Sequence, residues 1–295
     1  EADRLLAAGR FALLLDRDSD EPRDERTIAL AWLALEQSMA FVPAPDLIGH
    51  AGDEDDRSTA HIPAIYLDRY ATTNAQFAIF VAEDGYSQMD LWPQSIWPNL
   101  LQFVDETGHS GPRFWRNGQF PKGRENHPVV GINWFEARAY ALWCGKRLPT
   151  SDEWEHAASC CGGPDGRTLD ARYPWGDVFS PDRCNTWTGG PGETVPVTAC
   201  ESGATPNGIY QLIGNVWEWV ATQFEYIPQD TSLRIAFEEP MVEIRGGAFD
   251  TYLETQATCQ FRTGQPFLYR GANVGFRCCL PAGRLVDPPE PTAFT

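Results

Sequence analysis

Short apolar runs alternate with long polar stretches along this chain, and the runs fall into two periods. Leu5, Leu6, Phe11, Ala12 and Leu15 recur at close to helical spacing and predict a helix over 2–15. The charged stretch 16–26 interrupts it. Residues 27–39 (TIALAWLALEQSM) are apolar and rich in helix formers, which predicts a second helix. From Phe41 the texture changes. Prolines bracket a short apolar run in FVPAPDLIGH, and 65–70 (IYLDRY) reads as a strand. Thr72 or Thr73 offers an N-cap for a helix over 74–83, with Phe77 and Phe80 inward. The clearest helix is 133–143, where Trp134, Ala137, Ala141 and Trp143 line one side and Gly145 follows as a C-cap. Another is predicted over 150–158, with acids in its first turn.

Between and beyond these elements the periodicity fades. Residues 86–128 are rich in Trp, Pro, Gly and Asn, and long ordered loops of this sort often carry function. Residues 160–208 are nearly all turn chemistry. The run 211–220 is apolar and aromatic, 244–249 (IRGGAF) reads as a strand with a double-Gly kink, and 274–279 (VGFRCC) as a final strand. Trp217 and Trp219 are expected to fill the core, and Arg245 and Arg277, beside Gly-rich turns, to make structural hydrogen bonds. The pattern implies an α+β fold with short elements and much ordered loop. Residues 1–40 form an N-terminal helical segment or linker, 41–280 the main domain, and 281–295 a Pro-rich, frayed tail.

Composition narrows the function classes. Hydrophobic residues make up 42% and charged ones 22%, enough to build a core. The formal charge of −18 argues against nucleic acid and anionic membranes as partners. No apolar run reaches the ~18 residues of a membrane span. None of the eight cysteines forms a CxxC pair, so no structural zinc pattern exists, and the thiols are either buried or paired. The first residue is Glu1, so the chain is processed or a piece of something longer. No signal peptide is visible, and the cytoplasm is the compartment favoured. The acidic run 52–57 lacks EF-hand spacing and reads as a solvated loop. No two of the five histidines have metal-ligand spacing on a helix; His127, in KGRENHP, reads as a turn histidine.

One ordered series of motifs is more specific than any of its parts. It comprises VPAP–IG (42–49), YLDRYATTNAQFAIFV (66–81), HPVVGINWFEARAYALWCGKRLPTSDEWEHAA (127–158), YPWGD (173–177), CNTW (184–187), PNGIYQLIGNVWEWV (206–220), IRGGAF (244–249) and NVGFR (273–277). The series resembles the formylglycine-generating-enzyme family, or sulfatase-modifying-factor domain. The resemblance spans roughly residues 41–280 and implies a large, irregular, loop-rich variant of the C-type-lectin-like fold.

The family's enzymes oxidise a cysteine of a sulfatase peptide, using two cysteines five residues apart after RGGSF to bind copper(I). Paired thiolates suit that soft metal. Here the segment after RGGAF contains one cysteine, Cys259, and Glu254 stands five residues before it. The resemblance therefore implies that copper and the oxidation are absent. The HxxxHxE iron motif of relatives that form sulfur–carbon bonds is missing too. By match, a structural Ca2+ falls to Gln211, Gly214, Val216 and Glu218; a second family site, at Asn185 and Thr186, is not expected intact. Cys278 matches a family half-cystine whose partner position is Ala141, with Cys144 one turn further on. Cys160 or Cys161 facing Cys259 or Cys279, a Cys184–Cys200 loop closure, and buried thiols throughout stay open as alternatives.

Two functions follow. The first is a non-catalytic binding module, for which many family members have lost the cysteines. Variable proteins of diversity-generating retroelements share the scaffold and vary between an RGG segment and a terminal GFR. That segment here is 250–273, and the expected ligand contacts are Asp250, Tyr252, Gln256, Gln260, Phe261 and Arg262, with Phe267, Tyr269 and Arg270. Aromatic and Arg side chains dominate binding hot spots. The partner is a protein or a small molecule. The second function is a metal-dependent oxidoreductase with altered chemistry that uses Cys259 alone. The binding module, not an enzyme, is the reading adopted from sequence.

Overall fold

The computed structural model describes residues 9–11, 14–15, 24–45, 62–159, 171–225 and 239–288. Along the chain its elements are α1 (Glu25–Ser38), β1 (Met39–Val42), β2 (Ile65–Asp68), α2 (Asn74–Ala82), α3 (Trp134–Trp143), α4 (Ser151–Ser159), β3 (Trp217–Gln223), β4 (Met241–Arg245), β5 (Arg262–Pro266), β6 (Val274–Phe276) and β7 (Cys279–Pro281). Two short 3-10 turns and a nine-residue 3-10 helix, Gln94–Gln102, punctuate the stretch 86–128 expected to be irregular. The acidic run 52–57, His50, His61, Cys160 and Cys161 lie outside the described residues.

Each helix starts where its cap dictates. Asp24 accepts from Thr27 N at 3.2 Å and opens α1. Thr73 with Gln76, and Asn133 with Glu136, form capping boxes at α2 and α3, each satisfying two backbone donors that would otherwise lack partners. Phe77 and Phe80 of α2 pack on Tyr140 and Trp143 of α3, with ring centroids 5.4 and 5.6 Å apart, which fixes the two helices together. Gly145 takes φ +74° just past α3, as its C-cap role requires.

Two small sheets accompany these helices. One has the order β1-β2-β7, antiparallel throughout. The other has the order β5-β4-β3-β6; β3 and β6 run parallel and the remaining pairs antiparallel. Trp217 and Trp219 are buried in β3, as expected of core rings, but the opposite face holding Glu218 is buried too. β4 ends at Gly246 (φ +92°) and Gly247 (φ +79°); a Cβ on Gly246 would sit 2.4 Å from the Leu212 carbonyl oxygen.

The two ends of the described chain depart from the sequence expectation. Where a helix over 2–15 was expected, the described residues 9–11 and 14–15 are not α-helical: Gly9 takes φ +74°, and Leu15 forms a β-bridge with Leu285. The expected frayed tail is packed as far as 288. Ala282 N donates to Ala64 O at 3.0 Å, Val286 N donates to Leu14 O at 2.9 Å, and Leu285 is buried. Phe11, Leu14, Leu35 and Leu285 share one apolar cluster, so these segments bury each other's side chains.

Candidate functional site

The 250–273 segment leaves the double-Gly turn and returns to β6. Its ends are tied together: Asn273 Nδ2 donates to both Asp250 carboxylate oxygens, at 3.3 and 3.0 Å. Asp250, Tyr252, Gln260, Arg262 and Tyr269 are exposed and Gln256 is half-buried. Gln260 donates to Ala171 O at 3.0 Å, and Arg262 reaches Glu243 at 3.4 Å. Tyr252 is 71% exposed and meets the 60% exposed Trp187 edge-on, with centroids 6.5 Å apart. Leu253 beside them is also exposed.

Three expected contact residues face inward. Phe261 packs on Trp217, and Phe267 packs on Trp134 and Phe135. Arg270 is a structural cation: it pairs with buried Glu136 at 3.0 Å and donates to the carbonyls of Val104 (2.9 Å) and Gly111 (2.6 Å). Glu136 cannot stay buried and charged without it. These corrections share one cause. Aromatic and Arg side chains that suit a ligand surface also suit a core, and sequence does not give the direction in which they point.

A concave site lies at the root of this segment. A cavity of about 370 Å3 has Phe249 and Ala272 on its wall, one from each end of the segment. Phe114, Trp115, Pro121, Pro128 and Val130 add an apolar lining, and Asn74, Arg124, His127, Glu193 and Thr194 supply the polar side. The polar groups form a connected set. Arg124 Nη2 donates to Glu193 at 2.6 Å, and Arg124 Nη1 donates to Thr194 O at 3.1 Å and lies 3.2 Å from His127 Nδ1. Burial, reinforced by the Arg124 guanidinium, holds His127 below the usual histidine pKa. Sequence reasoning missed this site. Its one signal was the irregular 86–128 stretch; that 193–194 and 249 join it is set by tertiary contacts alone.

Residues 35–282 match the sulfatase-modifying factor enzyme 1-like domain. The chain belongs to that family. It is 32% identical to the formylglycine-generating enzyme of Thermomonospora curvata over 284 residues, covering 79% of this chain and 87% of the relative. It is 36% identical to the inactive C-alpha-formylglycine-generating enzyme 2 of Bos taurus over 248 residues, covering 74% and 77% respectively. Hercynine oxygenase of Mycobacterium tuberculosis is 33% identical over 193 residues, but the match spans only 44% of that protein and 62% of this one. The crystal structure of CarF shares the fold at a TM-score of 0.55 with 18% identity, covering 85% of this chain and 98% of CarF.

The sulfatase-modifying-factor scaffold uses the expected calcium residues differently here. Glu218 is buried, and both its oxygens accept from protein donors: Arg277 Nη2 at 2.7 Å, Arg277 Nε at 2.8 Å and Trp154 Nε1 at 2.8 Å. Gln211 Oε1 accepts from Asn215 at 2.6 Å, and Gly214 O accepts from Val216 N at 2.9 Å. As arranged, the set does not fit a cation, because a guanidinium already neutralises its carboxylate. At the second position the Thr186 carbonyl accepts from Gly189 and Gly190, so it too serves the backbone. The structural roles expected for the two arginines hold: Arg277 binds Glu218, and Arg245 binds Glu155 and the carbonyls of Gln260 and Phe261.

Neither proposed pairing of described cysteines forms: Cys144 and Cys278 remain thiols, as do Cys184 and Cys200. Burial pushes Cys144 and Cys184 up to about 12, so neither is a nucleophile near neutral pH. Cys259 is fully buried, with its backbone N–H on Arg172 O at 2.9 Å. No helix among the described residues is long and apolar enough to cross a membrane.

Proposed function

We propose that this chain is a non-catalytic binding domain on the sulfatase-modifying-factor scaffold, engaging a protein or small-molecule ligand through the 250–273 segment and the cavity at its root. One observation carries this reading. The cavity opens beside Phe249, where the family's oxidation chemistry would need sulfur, yet its wall is aromatic, amide and His–Arg–Glu. The one cysteine of the segment, Cys259, has no exposed surface. A thiolate must be reachable to bind a soft metal and a thiol substrate. The exposed Tyr252, Leu253 and Trp187 supply apolar contact area of the kind that anchors partners.

The second reading is an oxidoreductase with altered chemistry. It is favoured by the 32% identity to a formylglycine-generating enzyme over most of both chains. Metal analysis with oxygen uptake separates the two. The binding reading expects no stoichiometric copper or iron, no oxygen consumption with a cysteine peptide, and unchanged ligand binding in Cys259→Ser. Stoichiometric copper with peptide turnover that is lost in Cys259→Ser overturns it.

A further inference from the structure

The polar side of the cavity has a fixed sense. An arginine has no acceptor, so His127 Nδ1, 3.2 Å from Arg124 Nη1, must be the acceptor of that contact. Thr194 Oγ1 lies 3.1 Å from the same nitrogen. The ring proton is therefore on Nε2, for which no hydrogen bond is formed among the described residues. Asn74 is used up: its Oδ1 accepts from Trp115 Nε1 at 3.0 Å, and its amide donates to Arg124 O at 2.9 Å. The Arg124 charge is matched by Glu193 at 2.6 Å. An entering anion would have to compete with Glu193, and an entering cation would meet a guanidinium and an N–H donor. A neutral acceptor meets neither penalty. The volume of about 370 Å3 lies at the low end of small-molecule sites, ~300–1,000 Å3.

We infer that the cavity binds a small, uncharged, planar ring carrying a carbonyl-type acceptor, with the ring against Phe114, Trp115 and Phe249 and the acceptor on His127 Nε2–H. This assignment rests on the binding reading above and gives it a ligand class. Burial and Arg124 keep His127 neutral near pH 7, so its donor arrangement persists there. Protonation would place a proton on Nδ1 against Arg124, opposed by the Thr194 backbone hydrogen bond and by the charges of Glu193 and Glu125, which favour the charged ring.

The test is titration of the full chain at pH 7.5 with benzamide, benzoate and benzylamine, following the His127 side-chain nitrogens by NMR. Benzamide should saturate and shift the Nε2 resonance, with an advantage of about tenfold over either charged probe, or about 1.4 kcal/mol. His127→Phe, checked for an unchanged thermal midpoint, should lose a similar factor. If that variant does not fold, the Nε2 shift in the parent chain decides. Equal binding of the three probes, no saturation by benzamide, or unaltered affinity in a folded His127→Phe overturns the inference. Adding N-acetylphenylalanine amide distinguishes the source of the ring: tighter binding than benzamide indicates a peptide and weaker binding a free small molecule, and both support the shared chemistry. Copper-dependent turnover would sink the binding reading and leave the benzamide result standing; a failed benzamide titration sinks this assignment alone.

Discussion

Glu218 and Arg277 are both almost fully buried and satisfy each other through two short contacts, so their worth lies in what happens when one is removed. Glu218→Ala strands a guanidinium in the core and should cost about 3–5 kcal/mol, read as a lowered urea midpoint. The exposed Arg116–Glu106 pair, also short at 2.9 Å, is the contrast: Arg116→Ala should change stability by less than about 1 kcal/mol. His127 gives a pH signature. Its folded pKa lies below the 6.5 of the free side chain, mainly through burial and then Arg124, so protons bind the unfolded chain more readily. Stability from this group is fully present above pH 6.5 and drains away as pH falls through the folded value. Replacing His127 by Gln should flatten that part of the stability-versus-pH curve. Asp105 acts at lower pH. Burial opposes its ionisation, but donors from Gly118, Thr107 and His109 outweigh it and hold the carboxyl at about 2, so its contribution is lost as pH drops from 3.8 through that value.

At the scale of elements, the double-Gly turn after β4 is the point least able to change. Gly246→Ala must adopt φ +92° and place its Cβ 2.4 Å from a carbonyl oxygen. The conformational penalty alone is about 1–3 kcal/mol, and the clash adds to it, so the variant should show a clearly lower thermal midpoint. Much at this scale was legible beforehand. The helices α2 and α3 were expected from their apolar spacing, with Thr72 or Thr73 as the cap of the first, and the indoles of β3 were expected inside because bulky rings favour the core; that Thr73 is the cap used, and that Asn133 caps α3, came from the structure. The orientation of Arg270 and Phe267 was not legible, since it depends on Glu136, Trp134 and Phe135, far away in sequence. The same holds for the segments around Leu15 and Leu285, each of which looks like a loose end until the other is present. His127 looked ordinary for the same reason: its Thr194 and Glu193 neighbours come from another loop.

For the whole molecule, charge is the dominant long-range quantity. A formal −18 spread over 295 residues repels itself, and the Debye length shrinks from ~30 Å at 0.01 M salt to ~8 Å at 0.15 M. The thermal midpoint should therefore rise with added sodium chloride over that range, whereas a fall would mean that exposed ion pairs outweigh the net repulsion. Salt should leave the Glu218–Arg277 contribution nearly untouched, because buried pairs are poorly screened. The bridge between Leu15 and Leu285 has a different kind of consequence. It ties together two segments that stand far apart in sequence, so removing either one should uncover the apolar cluster of Phe11, Leu14, Leu35 and Leu285 that both help to close.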